Sequence, residues 1–217
     1  MLKVGLTGGI ASGKSVVGEM FVALGAHLIQ ADHLAHDLMN PGGPVYHEVV
    51  QHFGRGILNP DQSINRAKLA ELAFGSPDVP EGQRNSRIAE LNEIVHPAVI
   101  CSQEDWMQAI GIQDRNAVAI VEAALILEAG MQDRFDRLIV VTCSPGQRAA
   151  RFAARQKVDI ARANEEVQRR MAAQISDEEK VKAADYVVDN SGSLARTREQ
   201  VAEIWEKLRL EASSPVS

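Results

Sequence analysis

The sequence has few cysteines and no long apolar run. Only Cys101 and Cys143 occur among its 217 residues, without close Cys or His spacing around them, which excludes a disulfide framework and a structural zinc site. We expect both thiols to be reduced and buried. The longest apolar run, residues 117–127, is interrupted by Glu122 and is too short to span a bilayer. Because the N-terminus also lacks the layout of a signal peptide, we expect a cytoplasmic protein without a membrane segment.

An excess of positive charge is also missing. The net charge is −6 and the pI is about 5.5, which disfavours nucleic acid or an anionic membrane as a partner, because such binding needs many Lys and Arg side chains. Hydrophobic residues make up 45% of the chain, enough for a full core in one globular unit with one or two small insertions. The sequence leaves a weak homo-oligomer open.

Short apolar runs, each bounded by polar or turn residues, are typical of buried parallel strands. They cover residues 2–6, 26–31, 117–126, 138–143 and 186–188. Helical spacing of apolar residues fills the intervals, which predicts a doubly wound α/β fold with a five-stranded parallel sheet. The long interval between the second and third runs, which includes the polar stretch 75–85, carries no convincing strand. It is longer than a simple crossover needs, so we interpret it as a helical insertion.

A phosphate-binding pattern follows the first strand. The segment Gly8-Gly9-Ile10-Ala11-Ser12-Gly13-Lys14-Ser15 fits G-x-x-x-x-G-K-[ST], and it stands between a predicted strand and a predicted helix, as this motif requires. Its glycines let backbone N–H groups turn inward to phosphate oxygens. We expect this segment and Val16 to bind a nucleotide, with Lys14 on the β- and γ-phosphates and the Ser15 hydroxyl on Mg²⁺. The alternative, a glycine-rich turn with an incidental Lys, needs a chance match of about one in a hundred.

An acidic residue after the second strand indicates which type of P-loop protein this is. No Asn is followed by Lys, so the base-reading Asn-Lys-x-Asp of GTPases is absent. Small P-loop kinases place a carboxylate just past the second strand, where Asp32 stands. Such a group orients the acceptor hydroxyl and accepts its proton late in a loose transition state. Asp is also a favoured helix N-cap, and one residue could serve both roles.

Further segments accompany the phosphate loop in a specific order and spacing. They are Val4-Gly5-Leu6-Thr7, Ala31-Asp32, Leu91-Asn92-Glu93-Ile94-Val95-His96-Pro97, Arg170-Met171-Ala172-Ala173-Gln174, Ala184-Asp185-Tyr186 and Asp189-Asn190-Ser191-Gly192. With these segments the chain resembles the dephospho-coenzyme A kinase family over most of its length. The resemblance implies phosphorylation of the ribose 3′-hydroxyl of dephospho-coenzyme A by ATP with Mg²⁺.

The resemblance also implies a P-loop kinase body of three parts. The nucleotide-binding core would cover about residues 1–40, 115–145 and 183–212, the helical substrate-binding insertion about 41–114, and the helical lid about 146–178. Lys14 and Asp32 would be catalytic residues of this body.

The chain departs from the family after the third strand. Where the family usually reads Asp-x-Pro-Leu-Leu, this chain reads Glu122-Ala123-Ala124-Leu125-Ile126. Glu122 would then lie near the substrate or order Mg²⁺-bound water. The alternative is a strand-end carboxylate that the local backbone satisfies.

The segment 147–170 reverses the charge of the chain, with seven basic and three acidic residues. Arg148, Arg151 and Arg155 stand at i, i+3 and i+7, on one helical face from which guanidinium groups could close over ATP. A solvated basic face is the alternative. The resemblance favours catalytic lid roles for Arg151 and Arg155. At Arg148, which we include among the nucleotide-binding residues, the family commonly has Gln.

Two family positions are matched by ambiguous residues. Asn190 matches a position near the adenine, although Asp-Asn-Ser-Gly is also ordinary turn chemistry. His96 matches a position near the coenzyme A substrate, or it is a buried, hydrogen-bonded histidine at a helix junction. Because a residue before proline avoids the helical region, we expect a helix to end and restart at His96 and Pro97. His33 and His36 with one Asp are too few ligands for a transition metal, and none is predicted.

Two rival functions share these features. One is a kinase for another small hydroxyl acceptor, such as a nucleoside, a nucleotide or a sugar acid, and a screen of acceptors would separate it. The other is a nucleotide-binding switch module without transferase activity, which replacement of Asp32 would separate. The preference for ATP over GTP follows from the resemblance alone.

Overall fold

The computed structural model describes residues 1–75 and 86–214. The strands are β1 (Leu2–Thr7), β2 (His27–Gln30), β3 (Val118–Glu122), β4 (Arg137–Thr142) and β5 (Tyr186–Asp189). The helices are α1 (Lys14–Leu24), α2 (Ala31–Leu38), α3 (Tyr46–Phe53), α4 (Arg66–Phe74), α5 (Ile88–Gln113), α6 (Pro145–Gln156), α7 (Ile160–Ala172), α8 (Asp177–Ala183) and α9 (Leu194–Ser213). In these two ranges, no helix is long and apolar enough to cross a membrane.

The strands form one parallel sheet in the order β2-β3-β1-β4-β5. Leu6 of the central strand β1 is in register with Glu122 of β3 on one side and with Ile139 of β4 on the other. The chain leaves β1 toward β2 and later crosses β1 to reach β4, so the carboxyl end of β1 is a topological switch point, where such folds bind ligands. The predicted five-stranded, doubly wound α/β fold is confirmed.

Apolar side chains cover both faces of this sheet. Every residue of β3 is buried, as expected of an inner strand between two layers of helices. On one face, Phe21 of α1 and Trp205 of α9 pack with Leu6. On the opposite face, Leu138 and Val140 of β4 form a separate apolar cluster, because successive side chains of a strand point to opposite sides.

Residues 31–106 form a second compact unit. Its core is built from α2, α3, α4 and α5, and the buried members are Leu38, Val45, Val49, Phe53, Ile57, Leu69, Val95 and Val99. The unit begins at Ala31, the first residue of α2, whereas the helical insertion expected from the sequence begins at residue 41. The polar stretch 75–85 lies, apart from Gly75, outside the described residues.

Helix α5 runs without a break through Pro97. The predicted end and restart at His96 is therefore wrong. A proline inside a helix costs about 3 kcal/mol through a lost hydrogen bond and a clash with the preceding turn. Val95 and Val99 are both buried in the core of the second unit, and burying each stabilises the fold by about 1.5–3 kcal/mol. The apolar stripe on both sides of the proline therefore outweighs the cost of keeping one helix.

The two cysteines are free but differ in exposure. Cys143 is buried and Cys101 is exposed, so the prediction of burial is wrong for Cys101. Position 101 lies about 200° around α5 from the buried Val99, on the face turned away from the core of the second unit.

Candidate active site

The phosphate-binding pattern forms a loop after β1 in which glycine is required at two positions. Gly8 has φ 153° and Gly13 has φ 96°, a region that side chains rarely adopt. A Cβ at Gly8 would lie 2.2 Å from the carbonyl oxygen of Val141, and one at Gly13 would lie 2.2 Å from Nδ2 of Asn190. The loop backbone therefore packs directly against the end of β4 and against the residue that follows β5.

The loop leads straight into the positive end of α1, which begins at Lys14. The N-cap residue is Gly13, which has no side chain to accept hydrogen bonds from the first N–H groups of the helix. These N–H groups can therefore bind an anion. Lys14 Nζ donates to the carbonyl oxygens of Gly8 at 2.9 Å and of Gly9 at 3.4 Å. Among the described residues, Ser12 Oγ is buried without a hydrogen-bond partner. A cradle of this kind, with an unsatisfied hydroxyl and an ammonium group, fits the phosphates of a nucleotide.

Ser15 in the first turn of α1 is joined to the carboxyl ends of two strands. Its Oγ donates to Glu122 Oε1 at 2.8 Å, and Gln30 Nε2 donates to Glu122 Oε2 at 2.7 Å. Glu122 is only 8% exposed, and in the described part of the chain its side-chain partners come from α1 and β2, not from local backbone. A hydroxyl beside a carboxylate is a set of hard oxygen ligands, which fits Mg²⁺.

Arg151 and Asn190 both donate hydrogen bonds to the carbonyl oxygen of Ser12 in the phosphate loop. Arg151 donates to the Ser12 carbonyl oxygen at 3.0 Å and to that of Asn190 at 2.9 Å. Asn190 Nδ2 donates to the Ser12 carbonyl at 2.8 Å, while its Oδ1 accepts from Thr197 Oγ1 at 3.0 Å. Asn190 is thus a buried residue that supports the loop. No sequence pattern marks Thr197, which is an ordinary polar residue near the start of α9.

Arg148 is fully buried, which excludes the solvated basic face for this residue. Its guanidinium donates to the carbonyl oxygens of Ile10 at 3.1 Å and of Cys143 at 3.3 Å, and it is paired with Asp177 of α8. Sequence reasoning missed Asp177, because acidic residues are common in the first turn of any helix, where they interact favourably with the helix dipole.

Helix α6 carries all three predicted arginines, as the i, i+3 and i+7 spacing indicates. It packs on α7 through Phe152, Ala163 and Val167. Arg155, in the last turn of α6, is exposed. The face therefore changes along the helix, from a buried guanidinium at its start to an exposed one at its end.

Cys143 lies beside the loop, where its Sγ contacts the Ala11 carbonyl oxygen at 3.7 Å. Burial raises the pKa of the Cys143 thiol, and the charges of Arg148 and Arg151 oppose that rise only in part. The residue is therefore an uncharged thiol near neutral pH, without the thiolate that nucleophilic or redox chemistry would need.

Asp32 and His96 belong to the second unit and are both exposed. Asp32 is the second residue of α2, so it lies in the first turn of the helix instead of at the cap position. Burial, reinforced by the charge of Arg66, lowers the pKa of His36, although Asp32 opposes this shift. His36 is therefore neutral near pH 7. The exposure of His96 on α5 contradicts the alternative of a buried histidine at a helix junction.

A glycine cradle and its Lys at the switch point of a 2-3-1-4-5 parallel sheet, with a hydroxyl and carboxylate pair beside them, define a P-loop phosphotransferase of the small-molecule kinase class. The dephospho-CoA kinase family model matches residues 2–196. A dephospho-CoA kinase from Aquifex aeolicus is 38% identical over 208 residues, covering 96% of this chain and 98% of the relative. One from Leifsonia xyli is 34% identical over 209 residues, covering 96% and 100%. The chain belongs to the dephospho-CoA kinase family.

Solved structures agree with this assignment in fold. The crystal structure of TT1252 from Thermus thermophilus superposes with a TM-score of 0.74 at 26% identity, over 95% of this chain and 96% of that one. The dephospho-CoA kinase from Campylobacter jejuni has a TM-score of 0.60 at 22% identity, over 95% and 96%.

Proposed function

We propose that this chain transfers the γ-phosphoryl group of ATP to the ribose 3′-hydroxyl of dephospho-coenzyme A, giving coenzyme A and ADP. The observation that carries this proposal is the match of the dephospho-CoA kinase family to residues 2–196, in a chain whose phosphate loop is complete. A cytoplasmic location and a small-molecule acceptor, without nucleic acid or membrane as partner, belong to the same proposal and suit the net charge of −6.

The phosphate loop would bind the nucleotide through its backbone. In this proposal the N–H groups of residues 8–16 surround the phosphates, and Lys14 moves its hydrogen bonds from loop carbonyls to phosphate oxygens. Ser15 and Glu122 would hold Mg²⁺ directly or through water. When bound, this ion neutralises charge on the transferring group.

The acceptor hydroxyl needs a group that orients it and takes its proton. Asp32 is assigned this role, because it is an exposed carboxylate two residues after the end of β2. Transfer to an alcohol oxygen has a loose transition state, so the carboxylate has to position the hydroxyl and accept the proton only as the new P–O bond forms. His96, exposed on α5, is assigned to binding of the coenzyme A substrate.

The arginines of α6 are assigned to two kinds of action. Arg155 is exposed in the last turn of α6, and in this proposal its guanidinium would offset charge on the transferring phosphoryl group. Arg151 holds the Ser12 carbonyl and would share this catalytic role. Arg148 and Asn190 are assigned to nucleotide binding through the loop backbone that they contact. Closure of the helical lid, about residues 146–178, over ATP would exclude water and prevent hydrolysis.

The experiment is a coupled assay of ADP release from ATP with Mg²⁺, run over a panel of acceptors. The panel contains dephospho-coenzyme A, a nucleoside, a nucleotide and a sugar acid. The proposal requires rapid ADP release with dephospho-coenzyme A alone. Faster turnover of another acceptor would show a different kinase, and ATP binding without acceptor-dependent release would show a switch module.

A further inference from the structure

An ion pair between Arg148 and Asp177 lies beside the phosphate loop. Neither residue belongs to the phosphate-binding pattern. Arg148 in α6 is 0% exposed, and its partner Asp177 in α8 is 31% exposed. The guanidinium also donates to two backbone carbonyls, that of Ile10 in the loop and that of Cys143 after β4. One side chain therefore connects the loop, the sheet and α8.

The burial of Arg148 makes Asp177 necessary. A guanidinium is a permanent cation in proteins, and a buried charge without a counter-ion is strongly destabilising. Because the guanidinium is planar and rigid, it presents its donors at fixed angles. With Asp177 holding one edge, the other donors fix the positions of the Ile10 and Cys143 carbonyl oxygens.

The loop is shaped around this guanidinium. A Cβ at Gly9 would lie 2.2 Å from NH1 of Arg148 and 3.1 Å from Asp177 Oδ1. The next residue, Ile10, has its carbonyl turned back onto NH1. The backbone of Gly9 and Ile10 therefore follows the surface of the ion pair, although its N–H groups belong to the phosphate cradle.

We propose that Arg148 is a positioning residue for the nucleotide and that Asp177 is its required counter-ion. The pair sets the affinity for ATP by fixing the loop backbone at Gly9 and Ile10, without touching the nucleotide. The identity of the nucleotide rests on the proposed function, but the effect on binding does not require the acceptor and is measured in its absence.

The test compares ATP affinity with stability in purified variants. Arg148→Met keeps the unbranched stem of the side chain but removes the guanidinium and all of its donors. Arg148→Gln restores one neutral amide donor near the position of the Arg148 Nε, which donates to the Cys143 carbonyl, but it is too short to replace the NH1 donor to Ile10. Asp177→Asn removes the counter-ion at constant shape. Titration calorimetry with ATP and Mg²⁺, without acceptor, gives the Kd, and steady-state kinetics give the KM for each substrate.

The matched control is Glu128→Gln. Glu128 pairs with Lys180 of the same helix α8 at 2.7 Å, and Lys180 is 0% exposed. This variant therefore breaks a second buried ion pair on α8, one that α8 makes with the segment after β3 and not with a side chain of α6. Its Tm should fall as in Asp177→Asn, while its Kd for ATP stays within about twofold of wild type.

Arg148→Met should raise the Kd and the KM for ATP by about tenfold or more, which corresponds to the loss of one charge-assisted hydrogen bond, and should leave the KM for dephospho-coenzyme A unchanged. Arg148→Gln should recover only part of the affinity, because it restores the donor to Cys143 and not the donor to Ile10. Adding Asp177→Asn to Arg148→Gln should change the Kd by less than about twofold, because the counter-ion then has no charge to balance.

A Kd for ATP within about twofold of wild type in Arg148→Met, with a lowered Tm, would reduce the pair to a stabilising contact and overturn the proposal. If Arg148→Met does not fold, the Kd for ATP and the Tm of Asp177→Asn are compared with those of wild type in the same way. Weakened ATP binding in these variants, combined with a wild-type protein that leaves dephospho-coenzyme A unphosphorylated, would uphold this proposal and refute the proposed function.

Discussion

Ser15 Oγ donates a 2.8 Å hydrogen bond to Glu122 Oε1, which links the first turn of α1 to the last residue of β3. The register of the sheet produces this contact, because Glu122 pairs with Leu6 just before the phosphate loop and with Gln30 at the end of β2. The carboxylate that replaces the usual family Asp is therefore placed beside the hydroxyl assigned to Mg²⁺.

This contact predicts that Glu122 acts through its charge. Glu122→Gln should lower kcat by about 100-fold, because a neutral amide is a poor ligand for Mg²⁺ or for the water bound to it. Glu122→Asp should retain more of the activity, since it keeps the charge. Gln30→Leu is the control, because it removes the second hydrogen bond of the carboxylate and leaves its charge. Steady-state kinetics over a range of Mg²⁺ concentrations test this ranking of the three variants. Equal losses of kcat in Glu122→Gln and Gln30→Leu would contradict it.

Replacement of Asp32 should affect transfer and spare nucleotide binding. Asp32→Asn is expected to lower kcat by about 100- to 10,000-fold, the usual contribution of a positioned acid or base, with an unchanged Kd for ATP. Asp37→Asn is a matched control, because Asp37 is another exposed acidic residue of α2. Near wild-type turnover of Asp32→Asn would show that this carboxylate does not orient the acceptor.

The two glycines Gly13 and Gly146 should respond oppositely to alanine. At Gly13, φ is 96° and a Cβ would collide with Asn190 Nδ2, so Gly13→Ala should cost about 1–3 kcal/mol of stability and abolish ATP binding. Gly146 lies in the first turn of α6, where an added Cβ would meet no atom within 4 Å. Gly146→Ala should therefore stabilise the protein by up to about 1 kcal/mol. Urea unfolding and ATP titration measure both effects.

The stability of the second unit should depend on the ionisation of Glu90. Hydrogen bonds from Arg87 and from His52 lower the pKa of this carboxyl to about 2, from 4.5. A lowered folded-state pKa stabilises the protein above the unfolded-state pKa, and this contribution is lost as the pH falls toward about 2. Because Glu90 is at the surface, solvent screens the effect and it will be small.

Urea unfolding at about pH 5 and about pH 3 tests this dependence. Wild type should lose more stability between the two values than Glu90→Gln does. Glu93→Gln, which changes an exposed glutamate of the same helix, should behave like wild type. The same pH dependence in Glu90→Gln as in wild type would exclude Glu90 as its source.

Local patterns were sufficient to predict much of this molecule. The five strands, the phosphate loop and the common helix of Arg148, Arg151 and Arg155 each depend on residues close in sequence, where hydrophobic period and glycine spacing are informative. The prediction failed at Pro97, because the local preference of a residue before proline competes with burial of Val95 and Val99 in a core built from distant helices.

The contacts of the site were harder to predict, since they join residues far apart in the chain. Ser15 and Glu122 are 107 positions apart, and Ile10 and Arg148 are 138 apart. Only the strand order brings them together, and strand order is not encoded in any one segment. Arg148 shows the limit most clearly: its spacing placed it correctly on a helical face, but its burial depends on Asp177 and on the loop backbone.

The most direct test of the proposed reaction is identification of the product. Purified protein is incubated with ATP, Mg²⁺ and dephospho-coenzyme A, and the acceptor is analysed by mass spectrometry before and after treatment with a 3′-nucleotidase, which hydrolyses only 3′-phosphate monoesters. The proposed function requires one added phosphate that this treatment removes. An unmodified acceptor, or a phosphate that resists 3′-specific removal, would contradict it.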